Sequence, residues 1–158
     1  MGTEANELKL PPAFSGPAQL VLYTRYDDPR SVGWEHKWIT TWNVQMLHPW
    51  FPEREIKIHK HFRPLLHDAF FELEKLGLQN EIKSFFHCYQ LFSLHESPVL
   101  SVHSWGVAID LNAKENPTGS IGRWSDDFIR VMLKNGIHCG QGWTGVREPM
   151  HFSMVDGE

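Results

Sequence analysis

The chain has 158 residues and a net charge of −4, a length suited to one domain that buries roughly 70% of its unfolded surface; with 41% apolar and 13% aromatic residues it is too hydrophobic to be disordered. The pI is near 6.2 and no Lys/Arg-rich run of five or more residues occurs, which excludes a general attraction to nucleic acid. No apolar stretch approaches the ~20 residues of a membrane span, and the opening MGTEANELKLPPAF lacks a basic segment followed by an apolar run, so neither membrane insertion nor a signal peptide is expected.

Residues 1–20 hold three prolines and two glycines with no period, which predicts an extended arm. From Ala18 to Met46, short apolar runs such as LVLY alternate with polar breaks such as DDPRS, and either short strands or irregular structure fits. The clearest helix is expected at about 62–76, where Leu65, Leu66, Ala69, Phe70, Leu73 and Leu76 recur at steps of three and four, Pro64 suits the first turn and Gly77 stops it. His67 falls beside that stripe and reads as a packed or surface histidine.

Next, IKSFFHCYQLFSL reads as a strand, HESP as a loop, GVAIDLN as a second strand and NAKENPTGSIG as a loop. Ser125 and Asp126 open a second helix that runs to about Lys134 and ends at Asn135 and Gly136. MHFSM supplies a last short strand. The order predicts a single α+β domain. Cys88 and Cys139 form no C-x-x-C pair, so they read as buried free thiols or as one disulfide.

Ten histidines make metal chemistry worth testing. His103 precedes a strand and Asp110 lies near its end, seven residues later, so the two converge only if the chain turns between them, as Ser104, Trp105 and Gly106 permit. Downstream, Glu148 and His151 flank Pro149 before an apolar strand. A hydrolytic zinc site takes three nitrogen or oxygen ligands and leaves a fourth position for water. His103, Asp110 and His151 would supply that set, with Glu148 as the carboxylate that takes the water's proton. Alone, Glu148 reads first as a surface glutamate in a turn.

Together the two clusters resemble the signature of the zinc D-alanyl-D-alanine carboxypeptidase and L-alanyl-D-glutamate peptidase family, which includes phage endolysins. The S-x-H-x-x-G-x-A-x-D pattern is met by Ser101, His103, Gly106, Ala108 and Asp110, and the acid-x-x-H pattern by Glu148 and His151. The similarity extends over about Ile56 to Met154. It implies a small antiparallel sheet with flanking helices, a fold shared with the hedgehog signalling domain. It further implies Zn2+ as the cofactor, His103, Asp110 and His151 as its ligands and Glu148 as the acid/base. The peptidoglycan stem peptide would be the substrate, cut by a monomer made in the cytoplasm and released to the cell wall.

Family members carry an arginine on the strand before the first motif; here Gln90 occupies that neighbourhood, with Arg123, Arg147 and His138 as other polar candidates. Ser101 would contact substrate or serve its turn, and Trp105 and Trp143 would line the cleft or belong to the core. The lack of the arginine favours an L-alanyl-D-glutamate endopeptidase, with a D,D-carboxypeptidase and an inactive zinc-stabilised binding module as alternatives.

Overall fold

The computed structural model describes residues 10–158. After a short 3-10 turn at Pro12–Phe14 come helices α1 (Pro17–Tyr26) and α2 (Trp34–Trp38), then the antiparallel pair β1 (Ile39–Trp42) and β2 (Ile56–His59). Helix α3 (Arg63–Lys75) leads through a second turn to β3 (Phe85–His87) and β4 (Ala108–Leu111). Helix α4 (Asp126–Lys134) precedes β5 (His138–Gly140) and β6 (Glu148–Ser153). The last four strands form an antiparallel sheet in the order β3-β4-β6-β5. The fold is α+β.

Helices α3 and α4 fall where the apolar spacing and the caps put them. Leu66, Ala69, Phe70 and Leu73 of α3 are buried and Pro64 sits in its first turn. At α4, the Ser125 hydroxyl caps the helix by accepting from the Phe128 N–H at 3.1 Å, with Asp126 and Asp127 favourably placed at the positive end of the helix.

The amino-terminal expectations need correction. Residues 1–9 lie outside the described residues, but from Ala13 the segment is packed. Phe14 is buried, stacked on Tyr23 at 4.2 Å and edge-on to Trp105 at 5.9 Å. LVLY belongs to α1, in which Ala18, Leu22 and Tyr26 are buried at steps of four while Leu20 and Val21 are exposed. An unbroken apolar run hid that helical period. The expected strand over residues 82–94 shortens to Phe85–His87 because the pairing of β3 with β4 loses register there.

Strand β4 divides the molecule. Ile109 and Leu111 point into a core shared with α3, α4 and Phe152, whereas Val107 and Ala108 join a second core with α1, Trp34 and Trp105. Successive side chains on a strand face opposite ways. Asp110 therefore emerges on the side away from α3 and α4, as does His151 beside the buried Phe152 of β6.

Phe70 is fully buried, 5.2 Å from Trp50 and 5.3 Å from Phe51. Phe70→Ala should lower unfolding free energy by about 3–5 kcal/mol in urea titrations, whereas Leu76→Ala, at a 59% exposed position, should stay within about 0.5 kcal/mol.

His59 is fully buried and stacks on Trp38 at 5.2 Å. Burial, reinforced by the positive charges of His61, Lys60 and Arg25, depresses its pKa to about 3. The unfolded chain, with a histidine value of about 6.5, takes up that proton first, so the stability due to neutral His59 declines below about pH 6.5. Wild-type stability relative to His59→Phe should fall by up to ~1.4 kcal/mol per pH unit between pH 6 and 4, measured by denaturant unfolding.

Candidate metal centre

The sheet register brings the site together. His87 of β3 pairs with Asp110 of β4, and Asp110 pairs with His151 of β6, so three chemically active side chains stand in one row across three strands. His103 reaches this row from a 3-10 turn at Val102–Trp105, which Ser101 caps by accepting from the His103 N–H at 3.3 Å. Gly106 then reverses the chain with φ +70°, and a Cβ there would stand 2.7 Å from Ile39 Cδ1 and 3.0 Å from the His59 nitrogen. That turn lets His103 and Asp110 converge across an odd spacing.

Glu148 and His151 also have an odd spacing, which would separate them on a regular strand. Cys139 pairs with Phe152 but Gly140 with Glu148, so β6 bulges between those pairs. Gly140 permits the approach, because a Cβ on it would come within 2.3 Å of the Glu148 carbonyl oxygen. The Trp124 indole N–H holds the bulge by donating to the Pro149 carbonyl at 2.7 Å. As a result the Glu148 carboxylate, a His151 ring nitrogen and the Glu158 carboxylate lie within 4.8 Å of one another.

At the centre, Asp110 Oδ1 lies 3.2 Å from His103 Nε2 and 3.4 Å from His151 Nδ1, while Oδ2 lies 2.7 Å from His87 Nε2. Burial acts to raise the Asp110 carboxyl, but the three histidines around it, His103, His151 and His87, outweigh burial and hold the group well below the usual carboxylate range. His87 titrates above an ordinary histidine: burial opposes its charge, but its bonds to Asp110 and to Gln90 Oε1, the latter at 2.6 Å, prevail. Burial also raises Glu148, with the negative charges of Glu158 and Asp110 adding to it and His151 opposing.

The donor set fits a divalent metal ion. His103 Nδ1 lies 2.8 Å from the Cys88 carbonyl, which can only accept, so Nδ1 carries a proton and Nε2, beside Asp110 Oδ1, is the nitrogen available to a metal ion. A cation between Nε2 and Oδ1, a proton or a metal ion, satisfies both atoms. A tetrahedral zinc ion with bonds of about 2.0–2.1 Å spaces its ligand atoms about 3.3–3.4 Å apart. The separations from Asp110 Oδ1 to the two histidines are close to that value.

The remaining expected residues fall at different distances from this centre. Ser101 is fully buried, its hydroxyl donating to Glu158 Oε1 at 2.6 Å. Gln90 contacts His87, and the Trp143 ring lies 5.4 Å from that of His151. Trp105 is fully buried in the second core and donates to the Asp27 carbonyl at 2.9 Å, so it is not a cleft platform. His138 and Arg147 line an open groove of about 650 Å³ together with Trp143. Cys88 and Cys139 are both free. Two residues at the site went unnoticed in the sequence, His87 and Glu158. His87 could have been found only by knowing the β3–β4 register, and no local pattern marks Glu158.

A row of histidines on one largely buried carboxylate, with a second carboxylate beside it, defines a candidate hydrolytic metal centre. Residues 95–154 match the family model described as D-alanyl-D-alanine carboxypeptidase, a peptidase family, and this is the family that the two motifs resemble. The matched segment contains Ser101, His103, Asp110, Glu148 and His151. No curated protein and no solved structure matches the chain.

The purified protein should retain one equivalent of zinc after dialysis. His103→Ala and His151→Ala should lose it and Glu148→Gln should keep it, as read by elemental mass spectrometry.

Proposed function

We propose that the protein is a zinc-dependent peptidase that hydrolyses a peptide bond in the peptidoglycan stem peptide, as an L-alanyl-D-glutamate endopeptidase. The observation that carries this reading is the convergence of His103 Nε2 and His151 Nδ1 on Asp110 Oδ1, with the Glu148 carboxylate within 4.8 Å of a His151 ring nitrogen. His103, Asp110 and His151 would hold the zinc ion, which supplies a water of pKa about 7 and polarises the scissile carbonyl.

Glu148 then takes the proton of the attacking water and delivers it to the departing amine. Its half-buried position and raised pKa suit a group that must both accept and release that proton. His87 anchors the outer oxygen of Asp110, leaving Oδ1 for the metal. Trp143, over the His151 ring and in the open groove, would contact the substrate, with Ser101 and Gln90 supporting the walls of the site. Gln90, bonded to His87 where the family carries an arginine, offers no cation for a free carboxylate, which supports the endopeptidase.

A D,D-carboxypeptidase is the second reading, favoured by the description of the matched family and by Arg147 in the groove, a cation that could receive a free carboxylate. The protein would act as a monomer on the cell wall after release from the producing cell. Among the described residues no helix is long and apolar enough to cross a membrane.

Incubation with purified peptidoglycan should release new amino termini, identified by mass spectrometry. A chelator should abolish the release and zinc should restore it. Glu148→Gln should lower the rate by about 10²–10⁴-fold while keeping zinc bound; near-normal hydrolysis would refute its role. Zinc bound at one equivalent without cleavage of any stem-peptide bond would point instead to a binding module.

A further inference from the structure

We infer that Glu158 is a positioning residue for the metal centre: its carboxylate takes the Nε2–H of His151 and so fixes Nδ1 as the unprotonated nitrogen presented beside Asp110. This inference rests on the proposed metal site, but its spectroscopic test does not.

His151 Nε2 and Glu158 Oε2 face each other at 3.4 Å, and both atoms are buried without a hydrogen-bond partner among the described residues. A buried imidazole nitrogen and a buried carboxylate oxygen without partners each carry a desolvation cost. A single proton on Nε2, shared with Oε2 after a small closure of that gap, satisfies both. It also selects the His151 tautomer, leaving a lone pair on Nδ1, 3.4 Å from Asp110 Oδ1. The Cys88 carbonyl does the same for His103 from the opposite ring nitrogen.

The carboxylate is itself held. Glu158 Oε1 accepts from the Ser101 hydroxyl at 2.6 Å, and the same hydroxyl accepts from the His103 N–H at 3.3 Å. One serine therefore ties the residue that orients His151 to the turn that carries His103. Two proposed ligands from distant parts of the chain are aligned through Ser101 and Glu158, which explains why a hydroxyl stands at a fully buried position.

The test uses the full chain with Glu158→Ala and Glu158→Gln. Long-range proton–nitrogen NMR of the metal-free protein at alkaline pH reads the His151 tautomer, and competition with a chromophoric chelator reads zinc affinity. The wild type should show the Nε2–H form. Glu158→Ala should show a mixed or switched tautomer and bind zinc about 10–100-fold more weakly. Glu158→Gln, whose amide oxygen can still accept from Nε2–H, should keep the tautomer and most of the affinity. A general structural role would not produce this split. A wild-type tautomer in Glu158→Ala, or the Nδ1–H form in the wild type, would overturn the inference. If the wild type binds no zinc, the metal site fails while the tautomer measurement still decides the role of Glu158.

Discussion

The carboxylate of Asp110 is the point on which the second half of the molecule depends. It is mostly removed from water and stays ionised, a state that costs several kcal/mol unless charges and hydrogen bonds compensate. His87 donates to Oδ2 at 2.7 Å, a hydrogen bond to a charged group being worth roughly 1.5–3 kcal/mol, and His103 and His151 bring Nε2 and Nδ1 to 3.2 and 3.4 Å from Oδ1, where a shared cation would complete the compensation. Removing one would leave a buried charge short of partners. The sheet order serves this arrangement by flanking the strand that carries Asp110 with those that carry His87 and His151.

The packing of that strand fixes the direction in which the carboxylate faces. Ile109 and Leu111 are locked into the core beneath α3 and α4, while Asp110 between them faces the opposite way. A shift of one residue would bury the carboxylate among phenylalanines and expose the two aliphatics, so the apolar pattern fixes the register of the polar one. The bulge in β6 is the exception that the chemistry requires, since only an irregular strand brings Glu148 and His151 to the same side.

Much of this was legible in the residues, where local rules suffice. Helices α3 and α4 follow from apolar spacing and caps, and the two motifs singled out four residues that the structure brings close together. What could not be read depends on long-range pairing. His87 looks like an ordinary strand residue until β3 is laid against β4, and Glu158 reaches Ser101 across 57 positions of sequence. Helix α1 was missed for a local reason: LVLY is apolar without interruption, and only the burial of Ala18, Leu22 and Tyr26 reveals its inward face. Trp105 was open to two readings, and the choice between core and cleft needed the neighbouring Phe14.

The three-residue strand β3 has a consequence for how the molecule can be divided. Outside β4 it is the only partner along that side of the sheet among the described residues, and it lies before the segment that matches the peptidase family. A fragment starting at His95 would retain His103, Asp110, Glu148 and His151 yet leave one side of β4 with unpaired amide and carbonyl groups. Such a bare strand edge recruits other chains. Residues 85–87 thus act as a molecular selvedge, and a fragment cut to the bounds of the motif would tend toward intermolecular sheet growth.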